Sequence, residues 1–121
     1  TQIPGISEVF DRGIISYSNK SKIEELGVNK ETLNRYGAVS EQTALEMATG
    51  LLNKTGVDIA LSTTGIAGPS GGSKEKPIGL VFIGIATENN SYAIECTLSG
   101  NRISIQNKAT SKAFDELRRI L

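Results

Sequence analysis

The apolar residues of this chain recur at helical spacing in several stretches, which predicts four helices. A polar capping residue, Ser or Asn, stands at the start of each of the first three, and glycine follows the first two. The predicted helices cover residues 18–27, 28–37, 40–52 and 101–121. In the last of them we expect a buried stripe at a spacing of four residues, formed by Ile105, Ala109, Ala113, Leu117 and Leu121.

Runs of β-branched and aliphatic residues predict four strands. They cover residues 12–18, 57–63, 78–87 and 92–98, and a turn at residues 88–91 joins the last two into a hairpin. Along the chain the order is therefore strand, helices, strand, hairpin and helix. This order is typical of an α/β domain, and it predicts a mixed sheet.

Length and charge exclude several classes of protein. The 121 residues are enough for one domain. Lys and Arg number 13, as do Asp and Glu, so the net charge of zero argues against a nucleic-acid-binding arm and an electrostatic membrane anchor. No apolar run approaches the roughly 18 residues of a membrane span. The single cysteine, Cys96, permits no internal disulfide and fits the reducing cytoplasm, where we expect the protein to be.

The chain contains no histidine, which limits the chemistry that it can perform. Ser-His-Asp and Cys-His catalysis are excluded, and so are zinc sites that need His ligands. An enzyme of this composition has to move protons with Lys, Tyr, Asp or Glu. The acidic residues are scattered without the spacing of metal ligands, so we expect no metal site.

A glycine-rich stretch, STTGIAGPSGG at residues 62–72, lies at the end of the second predicted strand. Its glycines match neither the spacing of a P-loop nor that of the dinucleotide-binding fingerprint, and it leads to another strand instead of a helix. Glycines nevertheless allow backbone N–H groups to approach an anionic ligand closely. Three interpretations remain open at this point: a phosphate cradle, a plain hairpin connection, and one wall of an active site.

A second candidate site lies near the N-terminus, where Ser7, Tyr17 and Lys22 fall within a short stretch. In a chain without histidine, a serine nucleophile can be deprotonated by a neutral lysine, provided that desolvation or a nearby cation lowers the pKa of the lysine. Tyr17 is suited to relaying the proton or to stabilising an oxyanion. The alternative is that Lys22 belongs to a solvated helix face, as lysines in stretches such as NKSKIEE commonly do.

Several strings in the sequence together resemble one known family. The combination Y-S-N-x-x-K, G-A-V-S-E, T-G-I-A-G-P-x-G-G and K-P-x-G resembles the C-terminal domain of the CinA, or competence/damage-inducible, family over nearly the whole chain. The resemblance implies a three-layer α/β/α fold with a mixed, mostly parallel sheet, in a single domain spanning residues 1–121. The family domain begins with a helix, a strand ending in A-E-S-C-T-G-G and a further helix. This chain opens at TQIPG, so we expect the domain to be incomplete at its N-terminus.

Matched onto this sequence, the family motifs assign roles to individual residues. The resemblance implies that Ser7 is the nucleophile, that Lys22 is the base and that Tyr17 assists them. Ile6 departs from the family, which commonly has a first serine there. Arg102 is implied to bind the substrate phosphate or to lower the pKa of the lysine. The full set of implied substrate-binding residues is Thr64, Gly65, Ala67, Gly68, Gly71 and Arg102.

The activity that the resemblance implies is an amidohydrolase of pyridine-nucleotide salvage, which converts nicotinamide mononucleotide to nicotinic acid mononucleotide and ammonia. Neither a cofactor nor a metal is implied, and the expected partner is a small-molecule nucleotide, not nucleic acid or a membrane. We expect a bacterial, cytoplasmic protein that forms a homo-oligomer, a dimer. Two alternatives stand beside the enzyme: a non-catalytic nucleotide-binding domain of a larger CinA-like protein, and a structural or dimerisation domain without a ligand.

Overall fold

The chain folds into four α-helices and one three-stranded β-sheet. The computed structural model describes all residues from Thr1 to Leu121. The helices are α1 (Asn19–Leu26), α2 (Lys30–Tyr36), α3 (Glu41–Thr55) and α4 (Arg102–Ile120), and the strands are β1 (Ile59–Gly65), β2 (Leu80–Thr87) and β3 (Ser91–Thr97). A single 3₁₀ turn at Ile6–Glu8 precedes them. No helix in the chain combines the length and the apolar character needed to cross a membrane.

The helices begin and end where local signals in the sequence place them. At the start of α1, the Ser18 side chain accepts from the backbone N–H of Ser21 and the Ser21 side chain accepts from that of Ser18, which forms a capping box. Ser40 and Asn101 cap α3 and α4 with their side-chain oxygens. Gly27 ends α1 with a φ of 69°, a left-handed value that favours glycine. All four predicted helices are confirmed, to within three residues at each end.

The sheet is antiparallel throughout, and the prediction of a mixed, mostly parallel sheet is wrong. Its strand order is β1-β2-β3, and both neighbouring pairs run antiparallel. Parallel strands need a long crossover connection, usually a helix. Residues 66–79 connect β1 to β2 without a helix, and a short turn connects β2 to β3, so each strand returns beside the one before it.

The strand predicted for residues 12–18 is not formed. This segment has no regular secondary structure, and Ile15 and Tyr17 within it are 92% and 85% exposed. Its β-branched residues favour an extended backbone, but a strand also needs a neighbouring strand to pair with. The three paired strands all lie later in the chain, and none of them pairs with this segment.

The two faces of the sheet pack against different helices. Side chains alternate between the faces along a strand, and the face with Ser62 is turned to α3, because Ser62 Oγ donates a 2.6 Å hydrogen bond to the Ala44 carbonyl. The strand register puts the small residues Ala60, Ser62, Thr64, Gly84, Ala86 and Ala93 on this face, and it also puts Leu80, Phe82 and Glu95 there. The other face is aliphatic and forms the main core with α4, from Val81, Ile83, Ile85, Ile105 and Ala113.

Helix α3 lies so close to the sheet that a side chain at Gly84 has no room. A Cβ at Gly84 would lie 2.2 Å from the Ala44 carbonyl oxygen and 2.5 Å from Ser62 Oγ. Helix α1 packs against α3 at Gly50, where a Cβ would lie 1.7 Å from the Leu26 carbonyl oxygen. A second apolar cluster fills the space between α1, α2 and α3, formed by Leu26, Val28, Leu33 and Met47.

The predicted stripe on α4 is confirmed for most of its length. Ile105 and Ala113 are buried, and Ala109 packs against the same core while remaining half-buried. Leu117 is also half-buried. Leu121 was predicted to be buried and is 85% exposed, because it lies one residue beyond the end of the helix.

Replacing Gly84 by alanine is expected to destabilise the fold, because the added methyl group overlaps the Ala44 carbonyl oxygen. We expect a loss of about 3 kcal/mol in the free energy of unfolding, at the upper end of the usual cost of overpacking. Gly13→Ala is the control, since a Cβ there meets only Phe10 Cζ at 3.7 Å. Urea unfolding of both variants makes the measurement, and equal stability of the two would contradict the close approach of α3 to the sheet.

Candidate functional site

Lys22 is the most deeply buried of the predicted site residues that have a polar side chain. It lies on α1, one turn after the Ser18 cap, and is 5% exposed. Its Nζ donates to the carbonyl oxygen of Ser16 at 2.7 Å and to that of Tyr17 at 3.2 Å. The alternative that Lys22 sits on a solvated helix face is therefore wrong.

Burial lowers the pKa of Lys22 below its ordinary value of 10.5. Desolvation has this effect because it disfavours the charged ammonium form. No carboxylate lies within ion-pair distance of Nζ to restore the charged form. In its neutral form the amine has two N–H groups and one lone pair, so the two carbonyls then accept both N–H groups and the lone pair stays free. This arrangement suits a general base.

The structure does not join Ser7 or the Tyr17 hydroxyl to this amine. Ser7 lies in the Ile6–Glu8 turn, is exposed, and makes no side-chain hydrogen bond; Nζ of Lys22 bonds only to the two carbonyls. Tyr17 contributes its backbone oxygen to Lys22, while the residue is 85% exposed. The element that contains Ser7 is a single 3₁₀ turn, which provides little of the dipole of a long helix.

Thr64 and Gly65 lie at the end of β1, where their contacts are structural. The Thr64 hydroxyl is buried and donates a 2.7 Å hydrogen bond to the Ala38 carbonyl, which links β1 to the connection between α2 and α3. A Cβ at Gly65 would lie 2.7 Å from Val81 Cγ2, so this glycine permits the close pairing with β2. Thr64 keeps its oxygen lone pairs available as acceptors.

Residues 66–79, which we call the glycine loop, connect β1 to β2. Two hydrogen bonds close its base, from Ile66 N–H to the Leu80 carbonyl at 2.9 Å and from Gly79 N–H to the Ile66 carbonyl at 2.7 Å. Gly68 and Gly71 have positive φ angles of 78° and 89°, and the Gly68–Pro69 peptide bond is cis. The backbone N–H groups of residues 67, 68, 70, 71 and 72 have no acceptor within the protein. Free N–H groups in such turns are suited to binding an anion.

Arg102 places a positive charge beside these free N–H groups. It is the first residue of α4, and its Nη1 donates a 2.8 Å hydrogen bond to the Gly68 carbonyl. Its guanidinium makes no salt bridge. Ala67 packs against the core, so Ala67, Gly68 and Arg102 lie in one region. Burial is the cause of the lowered pKa of Lys22, and Arg102 contributes nothing to that shift.

Three further residues shape the site and were not among the predicted set. Ser16 holds Lys22 through its carbonyl, a backbone contact that no side-chain pattern reveals. The Lys76 ammonium donates to the Tyr36 carbonyl at the end of α2 and so ties the glycine loop to that helix. Ile78 lies against the glycines of the loop. The only sequence signal for Lys76 and Ile78 was their place in the K-P-x-G motif.

A cleft of about 300 Å³ lies beside the end of the glycine loop, a volume at the lower limit of small-molecule sites. It is bounded by Tyr36, the N-terminal turn of α3, and residues of β2 and β3. Glu75 and Lys76 of the loop line it, but none of the predicted site residues does.

Comparison with known proteins gives consistent results. The family profile described as the CinA C-terminal domain matches residues 1–121. The chain is 55% identical over 118 residues to a putative competence-damage inducible protein of Clostridium tetani, and 50% identical over 119 residues to a CinA-like protein of Kosmotoga olearia; each match covers 98% of this chain. The chain therefore belongs to the CinA C-terminal domain family. It spans 29% of the length of these two relatives.

Solved structures show the same fold. A competence/damage-inducible protein of Agrobacterium tumefaciens superposes with a TM-score of 0.94 at 43% identity, over 97% of this chain and 72% of the other. A competence damage-inducible protein of Klebsiella pneumoniae gives a TM-score of 0.90 at 30% identity, over 95% of this chain and 71% of the other.

The buried amine makes stability depend on pH. Because burial lowers the pKa of Lys22, the unfolded chain binds more protons than the folded chain between that lowered pKa and 10.5. The free energy of unfolding therefore rises with pH in this window, by up to about 1.4 kcal/mol for each unit of lowering. Lys22→Met, which keeps most of the stem and removes the amine, is expected to lose this rise.

Chemical unfolding at a series of alkaline pH values checks this expectation. Lys20→Met is the matched control, because the Lys20 side chain on the same helix is 81% exposed. A Lys22→Met variant with the same pH dependence as the wild type would show that the amine titrates normally in the folded chain.

Proposed function

We propose that this chain forms the catalytic part of an amidohydrolase that converts nicotinamide mononucleotide to nicotinic acid mononucleotide and ammonia. The observation that carries the proposal is the buried amine of Lys22, whose pKa is lowered and which donates only to backbone carbonyls. A chain without histidine needs such a base to deprotonate a serine. Membership of the CinA C-terminal domain family supports the same chemistry.

In the proposed mechanism, Ser7 Oγ attacks the carbonyl carbon of the carboxamide while Lys22 takes the serine proton. The tetrahedral intermediate then collapses, its C–N bond breaks, and Lys22 returns the proton to the leaving ammonia. Water next attacks the resulting ester, again with Lys22 as the base, and releases the carboxylate and Ser7. The exposed Tyr17 is proposed to assist from the substrate side. Since Ser7 is not hydrogen-bonded to Lys22 in this structure, the mechanism requires substrate binding to bring the two within reach.

The glycine loop and Arg102 are proposed to hold the phosphate of the nucleotide. The free N–H groups of the loop offer backbone donors, and one N–H of Arg102 is used by the Gly68 carbonyl. A guanidinium has five donors in a planar fork, so Arg102 retains donors for phosphate. Of the three interpretations of the loop, this favours a phosphate-binding wall of the active site, although the loop also connects two antiparallel strands.

A second candidate function is nucleotide binding without catalysis, as one domain of a larger protein. The observation that favours it is the separation of Ser7 and the Tyr17 hydroxyl from Lys22, since neither contacts the amine. The chain also spans only 29% of the length of its Clostridium tetani relative. The two functions share the phosphate-binding loop and differ in whether Ser7 reacts.

Ammonia release from nicotinamide mononucleotide distinguishes these two functions. We expect turnover by the wild type, and a loss of at least about a thousandfold in Ser7→Ala and Lys22→Ala, because a nucleophile and its base act as a unit. Ser111→Ala and Lys20→Ala are matched controls, at exposed positions on α4 and α1. The measurement is made on this chain and on a form extended upstream to the length of the Agrobacterium tumefaciens chain.

Turnover in the extended form alone would keep the assignment and show that the upstream residues complete the site. If neither form releases ammonia while both bind the nucleotide, the binding function replaces the enzyme. Unchanged turnover in Ser7→Ala would remove Ser7 as the nucleophile.

The pH profile of kcat/KM gives an independent check on the role of Lys22. A general base acts only when it is neutral, so kcat/KM is expected to rise with pH as Lys22 loses its proton. Because burial lowers the pKa of Lys22, the midpoint of this rise is expected below 10.5. Kinetics at several pH values in buffers of constant ionic strength make the measurement, and a flat profile through neutral and alkaline pH would contradict the assignment.

A further inference from the structure

We propose that Ile78 is a positioning residue around which the glycine loop is folded, so that its free N–H groups are held ready for the nucleotide phosphate before the nucleotide arrives. The part of this inference that concerns the nucleotide rests on the proposed function. The part that concerns the shape of the loop rests on contacts within the chain alone.

The contacts of Ile78 involve two glycines on the opposite limb of the loop. A Cβ added to Gly68 would lie 2.7 Å from Ile78 Cγ2, and one added to Gly72 would lie 2.8 Å from Ile78 Cγ1. The Cβ at Gly68 would also lie 3.4 Å from Cδ1 and 3.5 Å from Cγ1, and the Cβ at Gly72 would lie 2.9 Å from the backbone nitrogen of Ile78. Ile78 is 40% exposed, whereas Gly68 beside it and the adjacent Gly79 are buried.

Residues 67–72 have few other attachments to the protein. Their backbone N–H groups donate to no protein acceptor, and the one acceptor among their carbonyls is Gly68, which binds Arg102. Ala67 packs on the core at one end of this stretch. Between Gly68 and Gly72, Ile78 holds the stretch against the returning limb of the loop, together with the hydrogen bond from Arg102 and the contact of Gly71 with Ile66.

The branch point of Ile78 is the feature that makes this contact specific. A β-branched side chain has a restricted χ1 angle, so its two γ carbons are held in fixed directions from the backbone. Cγ2 is the atom nearest to Gly68 and Cγ1 is the atom nearest to Gly72, and the base of the loop fixes the adjacent Gly79 through its hydrogen bond to Ile66. Ile78 is thus held in place by the sheet, and its side chain in turn restricts the motion of the stretch that carries the free N–H groups.

The functional consequence is a lower cost of binding. A loop already in its binding shape loses little conformational freedom when the ligand arrives, whereas a loose loop must be ordered at the expense of affinity. Loss of the Ile78 contact is therefore expected to raise KM while leaving kcat unchanged. The phosphate is remote from the reacting carboxamide, so Ile78 does not act on the chemical step.

Three substitutions separate shape from hydrophobicity. Ile78→Val keeps both γ carbons and loses only the terminal methyl group. Ile78→Leu keeps the number of carbon atoms but has a single γ carbon, and Ile78→Ala has none. We expect the valine variant to behave as the wild type, and the leucine and alanine variants to raise KM by about tenfold with kcat within about twofold. Ile120→Ala is the control, since Ile120 on α4 is similarly exposed, at 38%.

The loop itself is measured by NMR without any ligand. In the wild type and Ile78→Val, the order parameters of the Gly68, Gly71 and Gly72 N–H groups are expected near 0.85, the value of rigid backbone, and in Ile78→Leu and Ile78→Ala below about 0.6. A wild-type order parameter in Ile78→Leu overturns the inference, whatever the enzyme does. A lowered order parameter with an unchanged KM overturns the link to the nucleotide.

Failure of the proposed function gives a different result. If the wild type binds or turns over no nicotinamide mononucleotide, the order parameters still decide whether Ile78 shapes the loop. If the wild type turns the nucleotide over and all three Ile78 variants match it in KM and in order parameters, the proposed function stands. The proposed role of Ile78 is then wrong.

Discussion

The close approach of α3 to the sheet is the contact on which the rest of the structure depends. Gly84 has no side chain, so the carbonyl oxygen of Ala44 in α3 can lie close to the backbone of β2. Farther along α3, Gly50 receives α1 through the Leu26 carbonyl. Helix α1 carries Lys22, so two glycine contacts in series set the position of this amine relative to the sheet. The small residues on one face of the sheet are thus a requirement of the candidate site as well as of the core.

Local features of the fold could be predicted from the sequence, and features that depend on distant partners could not. A cap such as Ser18 involves residues three apart, so the helix boundaries were accurate. Strand direction depends on where the chain returns, and the signals for an antiparallel sheet were the hairpin turn at residues 88–91 and the absence of a helix in residues 66–79. Residues 12–18 have the composition of a strand but no strand beside them. Leu121 continues the apolar stripe in sequence, but the helix ends before it.

In the candidate site, too, some features could be predicted from the sequence and others depend on how the chain folds. The absence of histidine directed attention to Lys22, and the structure places its amine in a buried position between two carbonyls. Those carbonyls could not be predicted, because every residue has one and only the fold decides which ones meet. The contact between Ile78 and two glycines was hidden for a similar reason: spacing within an irregular loop follows no period. The roles of Ser7 and the Tyr17 hydroxyl rest on the family resemblance and the proposed mechanism.

The two carbonyls that hold Lys22 have a consequence for engineering. Both belong to the backbone, so a substitution at position 17 leaves the acceptor in place while replacing a side chain that is 85% exposed. The surface next to the amine can therefore be changed without removing the carbonyl that orients the amine. A library at position 17 can vary what the surface beside the lysine recognises, and every member retains a backbone carbonyl at that position.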